Sequence, residues 1–251
     1  MSRLGVLAFG DSITNGGGEL QWGVALQSWA LWVARGLGLP FTTYAVDGAR
    51  ARDVVAHQIP AFLARTAQPD ARYDLGCLYV GVNDVRAPDW DPAAFARDHT
   101  AALAFLRERC ERVLTLMIPR ELGRPRAAGV AEANTIIAAA DALILDLRDF
   151  GARNLVMTDH VHPTAFGQVA IAERALDLLA ADGMDVRVRP STLIAPAERT
   201  RVRALRGDCT YVYRALKETL RGAVAARRAA LAASARSGNP GTAAGRRPGA
   251  P

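Results

Sequence analysis

The sequence predicts a doubly wound α/β domain of three layers, in which a sheet of about five parallel strands lies between two layers of helices. Two observations carry this. Apolar runs of strand length alternate with longer segments of helical period from residue 3 to residue 181, as successive βαβ units require. The residues best suited to chemistry fall directly after those apolar runs, at the edge where ligands sit in such sheets.

The elements follow in order. Strands are expected near 3–9, 41–46, 73–80, 112–118 and 142–147, where short apolar stretches meet turn residues. Helices are expected near 24–37, 51–65, 92–108 and 130–140 from their apolar spacing. A last helix over 164–181 follows Pro163, with Thr164 as its N-cap and an end near Gly183. The first strand runs straight into "FGDSITNGG", where glycines let the backbone bend sharply and leave Ser12 facing the cleft.

Beyond about residue 185 the alternation stops. The chain divides into an α/β domain over 1–185, a basic extension over 186–234 with a helix around 208–234, and a tail over 235–251 too poor in apolar residues to pack. Residues 1–185 carry 17 Arg and no Lys against 22 acids, whereas 186–251 carry 13 Arg and one Lys against three. The net charge of +6 is therefore a property of the tail. Arg214, Lys217, Arg221, Arg227 and Arg228 lie among Ala, Leu and Val, a basic amphipathic pattern able to touch nucleic acid, an anionic membrane or an acidic partner. Docking on the domain with the charges in water is the expectation favoured over any of these.

Composition excludes several classes. Half of the 251 residues are hydrophobic, enough for a substantial core, yet no apolar run approaches the ~20 residues of a membrane-spanning helix. The N-terminal apolar stretch Leu4 to Phe9 has only Arg3 before it and leads into the suspected site, so the chain reads as leaderless and cytoplasmic. Cys77, Cys110 and Cys209 are widely spaced and odd in number, which argues for buried thiols over disulfides or a thiolate metal site.

Four blocks stand at strand ends: Ser12 in "FGDSIT", Gly48 in "AVDGAR", Asn83 in "VGVNDV", and Asp159 with His162 in "TDHVHPTAFG". A serine hydroxyl is a weak nucleophile until an imidazole takes its proton and a carboxylate holds that imidazole in one tautomer. Asp159-x-x-His162 supplies both groups from one turn, and Pro163 keeps the preceding residue out of the helical region. The N–H of Gly48, the carboxamide of Asn83 and the N–H of Ser12 would then form a three-donor oxyanion hole.

In order and spacing, "GDSIT" with Gly16, "DGA", "GVND" and "DHVHP" resemble the blocks of the SGNH hydrolases, the GDSL lipase/esterase superfamily, over about residues 3–181. The resemblance implies Ser12 as nucleophile, Gly48 and Asn83 as oxyanion donors, Asp159 and His162 as the rest of a triad, and a flavodoxin-like sheet of order 2-1-3-4-5. It implies a metal-independent esterase without cofactor, acting on a small-molecule ester through an acyl-serine. An acyltransferase would use the same groups, and a vestigial domain carrying a basic binding tail is the alternative from another class. The asparagine that often precedes the second-block glycine is missing from "TTYAVDG", so the family's anchoring of that loop does not transfer. Acyl and alcohol identity and the oligomeric state are not written in the motifs.

Of the neighbouring residues, the D-x-x-H-P spacing selects His162 over His160, and His160-x-His162 lacks the further ligands of a zinc site. His57 and His99 are expected at helix surfaces or boundaries. Asp11 and Asp84 are expected to hold loops through backbone hydrogen bonds. Trp29 and Trp32, at i and i+3, are expected in the core. Trp22 and Trp90 are candidates for a substrate pocket, and Arg120, Arg124 and Arg126 belong to a loop near the same edge, expected to be solvated.

Overall fold

Val6–Gly10 forms β1, and all of it is buried, as a Val-Leu-Ala-Phe-Gly run requires when helices cover both faces of a sheet. The structure, a computed structural model, describes residues 4–18, 24–66, 71–123, 127–152 and 154–194, with the helical positions 212, 213, 216, 217, 220 and 227. β1 pairs in parallel with β2 (Phe41–Thr43) on one side and β3 (Tyr73–Tyr79) on the other. β4 (Cys110–Leu116) and β5 (Leu143–Leu145) complete a five-stranded parallel sheet of order β2-β1-β3-β4-β5. The direction of crossover reverses between β1 and β3, so a crevice opens beyond their carboxyl ends.

The helices are α1 (Ser12–Asn15), α2 (Trp29–Leu37), α3 (Ala51–Asp53), α4 (Ile59–Arg65), α5 (Val82–Arg86), α6 (Pro92–Arg109), α7 (Val130–Ala138) and α8 (Ala165–Ala181). Val54–Gln58, between α3 and α4, is a π-helical turn. α2 and α8 pack together on one face of the sheet, while α3, α6 and α7 pack on the other. Under the second layer the rings of Phe9, Tyr44, Phe62, Tyr73 and Phe105 form a continuous cluster, with neighbouring centroids 5.7 to 6.2 Å apart. Trp29 and Trp32 are buried in the core, as their spacing predicts.

The differences from the sequence reading have local causes. The helix expected from residue 24 begins at Trp29 because the Ser28 side chain accepts the Leu31 N–H and caps it there. Thr164 caps α8 through the Gly167 N–H, as read. The expected second strand pairs only over Phe41–Thr43, although the N–H groups of Tyr44 and Val46 still donate to Ala8 and Gly10 of β1. The expected helix over 51–65 is interrupted by its π turn. α1 and α5, too short for periodicity to reveal, follow β1 and β3.

The chain separates into two compact units, Met1–Arg199 and Thr200–Pro251. In the first, the segment after α8 returns to α2: the N–H groups of Arg187 and Val188 donate to the Gly36 carbonyl, and Arg189 pairs with Glu173 and Asp177. In the second, Val212, Tyr213, Leu216 and Leu220 are exposed. Most of the helix expected over 208–234, and all of the tail over 235–251, lie outside the described residues. No helix among the described residues is long and apolar enough to cross a membrane.

Candidate active site

Asp11 follows β1 in an extended conformation, and its Oδ1 accepts the Ile13 N–H at 2.9 Å, so Ser12 becomes the first residue of α1. Two buried glutamines hold this corner from either side. The Gln58 amide accepts the Gly10 N–H at 3.0 Å and donates to the Gly10 carbonyl at 2.7 Å. From α8, Gln168 accepts the Trp29 N–H at 2.8 Å and donates to the Ile13 and Gly17 carbonyls at 3.0 and 3.1 Å. Gly18 lies at φ +149°, and a Cβ there would come within 2.2 Å of the Pro163 carbonyl. A glycine is therefore required where the Ser12 loop meets the loop carrying His162.

That contact brings the chemistry together. Ser12 Oγ lies 2.9 Å from His162 Nε2, across 150 positions of sequence. His162 Nδ1 lies 2.7 Å from Asp159 Oδ2, while Asp159 Oδ1 accepts the N–H groups of Val161 and His162 at 2.9 and 3.0 Å. With Nδ1–H committed to the carboxylate, Nε2 is left to accept the serine proton. The Met157 N–H donates to the His162 carbonyl, and Val156 bridges Pro163, so the turn is also fixed through its backbone. His160 occupies a left-handed position at φ 58° in that turn.

The electrostatics follow from these contacts. The hydrogen bond to Asp159 raises the His162 pKa above 6.5, against the effect of burial, and the charges of Asp159, Asp11 and Asp47 add to the rise. Burial would raise the Asp159 pKa, but the bonds from the His162 ring and from the Val161 and His162 N–H groups outweigh it and hold the carboxyl below its usual range. The pair therefore favours a carboxylate beside a basic imidazole.

The loop after β2 is joined to the Ser12 corner by hydrogen bonds. Gly48 lies at φ +77°, a conformation that favours glycine. Asn83 at the start of α5 donates from Nδ2 to the Ala49 carbonyl at 3.0 Å, which fixes the carboxamide and leaves its second N–H uncommitted by that bond. Asn15 donates to Asp47 at 2.9 Å, and the Val46 N–H donates to the Gly10 carbonyl. Both Asp84 oxygens accept the Ala51 N–H, at 3.1 and 3.2 Å. Asp47, Asp84 and Asn83 thus anchor this loop.

The GDSL-like lipase/acylhydrolase family model matches residues 8–170, a span that takes in every one of these groups. The chain belongs to that family. Solved structures give the same fold. A member of the lipolytic G-D-S-L family from Veillonella parvula is 20% identical, with a TM-score of 0.56 over 70% of this chain and 98% of its own. An acetylxylan esterase from Geobacillus stearothermophilus is 19% identical, with a TM-score of 0.52 over 74% and 97%. An α/β hydrolase from the metagenome of Lake Arreo, Spain, is 17% identical, with a TM-score of 0.54 over 70% and 94%. None of the curated proteins matches.

Within this family fold, several neighbouring residues are settled by their contacts. His99 is buried rather than at a surface: its ring lies 5.4 Å from that of Phe95, and Nε2 lies 3.3 Å from Thr115 Oγ1. Its spacing from Phe95, Ala102 and Leu106, all on the inward face of α6, is the signal that reveals this. Trp90 packs 5.4 Å from Phe95 and over Gly129, and donates to Glu132 at 3.4 Å. Arg120 is exposed beside an open groove with Met117, Asn134 and Arg148. Trp22, Arg124, Arg126 and Cys209 lie outside the described residues, while Cys77 and Cys110 are buried free thiols. Gln58 and Gln168 escape sequence reasoning, because a glutamine in a helix carries no sign of which backbone groups it will meet.

Proposed function

We propose that this chain is a serine ester hydrolase that works through an acyl-Ser12 intermediate. Ser12 Oγ attacks the ester carbonyl carbon while His162 Nε2 takes the hydroxyl proton, and Asp159 stabilises the imidazolium that forms. The N–H groups of Ser12 and Gly48 and the free carboxamide N–H of Asn83 receive the negative charge that develops on the carbonyl oxygen. The tetrahedral intermediate collapses, the alkoxide leaves with the proton from His162, and the ester carbon stays bonded to Oγ. Water then attacks the acyl-serine with His162 again as base, which releases a carboxylic acid and restores the hydroxyl.

One observation carries this reading: the unbroken relay from Ser12 Oγ through His162 to Asp159, with contacts of 2.9 and 2.7 Å. A series of p-nitrophenyl esters beginning with acetate tests it, because a structural relative is an acetylxylan esterase. The expected result is turnover to the free acid, lowered ~10³-fold or more by Ser12→Ala. Hydrolysis undiminished in that variant would overturn the proposal.

A further inference from the structure

Asp11 stands one residue before the serine and is only 1% exposed. One carboxylate oxygen caps α1, but the other, Oδ2, is buried without a hydrogen bond. A cap needs one acceptor, and Ser would supply it as well as Asp does. A buried carboxylate with an unsatisfied oxygen is a costly way to cap a four-residue helix.

The charged groups around Asp11 point to a second use. Ser12, the next residue, lies 2.9 Å from His162 Nε2, which brings the imidazole near Asp11, and a positive charge on His162 favours the carboxylate. From α5 it faces Asp84, which disfavours it, and Tyr79 of β3 feels its field. Burial is the largest influence and lifts the Asp11 carboxyl to about 7, against the bond from the Ile13 N–H, the His162 charge and the nearby Thr14 N–H. Asp84 is itself lifted by burial, to about 6. The effect is reciprocal, since the Asp11 charge also makes His162 more basic, alongside Asp159 and Asp47.

We propose that Asp11 is a positioning residue for the hydrolysis: its buried carboxylate acts on the substrate only through His162, by stabilising the imidazolium formed when Ser12 loses its proton. The proposal rests on the reading of His162 as the base. Asp11 and His162 form a coupled pair, and the form competent for attack has Asp11 ionised and His162 neutral. As pH falls, two protons bind within the pair, so the acid limb of kcat/KM falls more steeply than one proton allows.

NMR titration of the His162 ring in the full chain tests the coupling without any turnover. In the wild-type protein the ring signal is expected to show two inflections, one of them from Asp11. A single inflection would overturn the proposal. In Asp11→Asn, and in Asp11→Ser, which caps the helix without leaving a second polar atom buried, the ring is expected to titrate once and at lower pH than in the wild-type protein. An unchanged midpoint in either folded variant would also overturn it. In the pH–rate profile both variants should lose ~10-fold at the plateau and show a one-proton acid limb. A uniform loss with the wild-type profile would reduce Asp11 to a cap and overturn the proposal. Because the titration needs no ester, a failure of the hydrolase reading, seen as absent turnover, stays distinguishable from a failure of this one.

Discussion

At the scale of single residues, Asp159 and Asn83 define what the site requires. Asp159 raises the pKa of His162 through its hydrogen bond, and the base must be neutral to take the Ser12 proton. Activity therefore climbs as pH rises through a His162 value above 6.5. Asp159→Asn removes the main cause of that rise, so its acid limb is expected at lower pH, with kcat down by ~10³ to 10⁴; a pH–rate profile reads both. Asn83→Ala deletes one proposed oxyanion donor and should lower kcat by ~10² to 10³ with little change in KM. Its carboxamide also holds the Ala49 carbonyl, so a melting curve must accompany the kinetics. That Ser12, His162 and Asp159 would meet was legible in the sequence because such chemistry demands particular side-chain types at strand ends. The contacts that hold them were not, since Gln58 and Gln168 serve backbone groups as far as 155 positions away.

Among the elements, the links between them decide how firmly the serine corner is held. Gln168 projects from α8 to the backbone of Ile13, Gly17 and Trp29, tying the helix after His162 to both ends of the Ser12 loop. Gln168→Met keeps much of the volume but leaves those buried backbone groups unpaired, at ~1–3 kcal/mol for each group that finds no water. A lower Tm together with a lower kcat is the expected outcome, by thermal unfolding and ester kinetics. Loss of stability without loss of rate would separate α8 from the chemistry. The parallel strands and longer helices were readable from periodicity, whereas α1, α5 and the π turn were not. Val54–Gln58 carries the side chain that grips Gly10, and π turns of this kind recur at functional sites. His99 shows the reverse case: its spacing on α6 held the answer, and the polarity of the residue obscured it.

For the whole molecule, the sheet order explains how Ser12 and His162, 150 positions apart, share one crevice. Ser12 and Asn83 follow the two strands that flank the switch point, and the loop before α8 brings His162 to Ser12. All five proposed site residues lie within the first unit, Met1–Arg199. Removing 200–251 should therefore leave hydrolysis of a soluble ester within a few-fold of the full chain, measured side by side. A loss beyond tenfold would assign the basic segment a part in the site. The charge division between domain and tail was plain from composition, but a net charge names no partner.

The central claim is that Ser12 carries the acyl group. Treating the full chain with a fluorophosphonate probe and mapping the adduct by mass spectrometry tests this most directly. A single adduct on Ser12, absent from Ser12→Ala and slowed in Asp159→Asn, is the expected result. An adduct on another residue, or labelling that persists in Ser12→Ala, would contradict it.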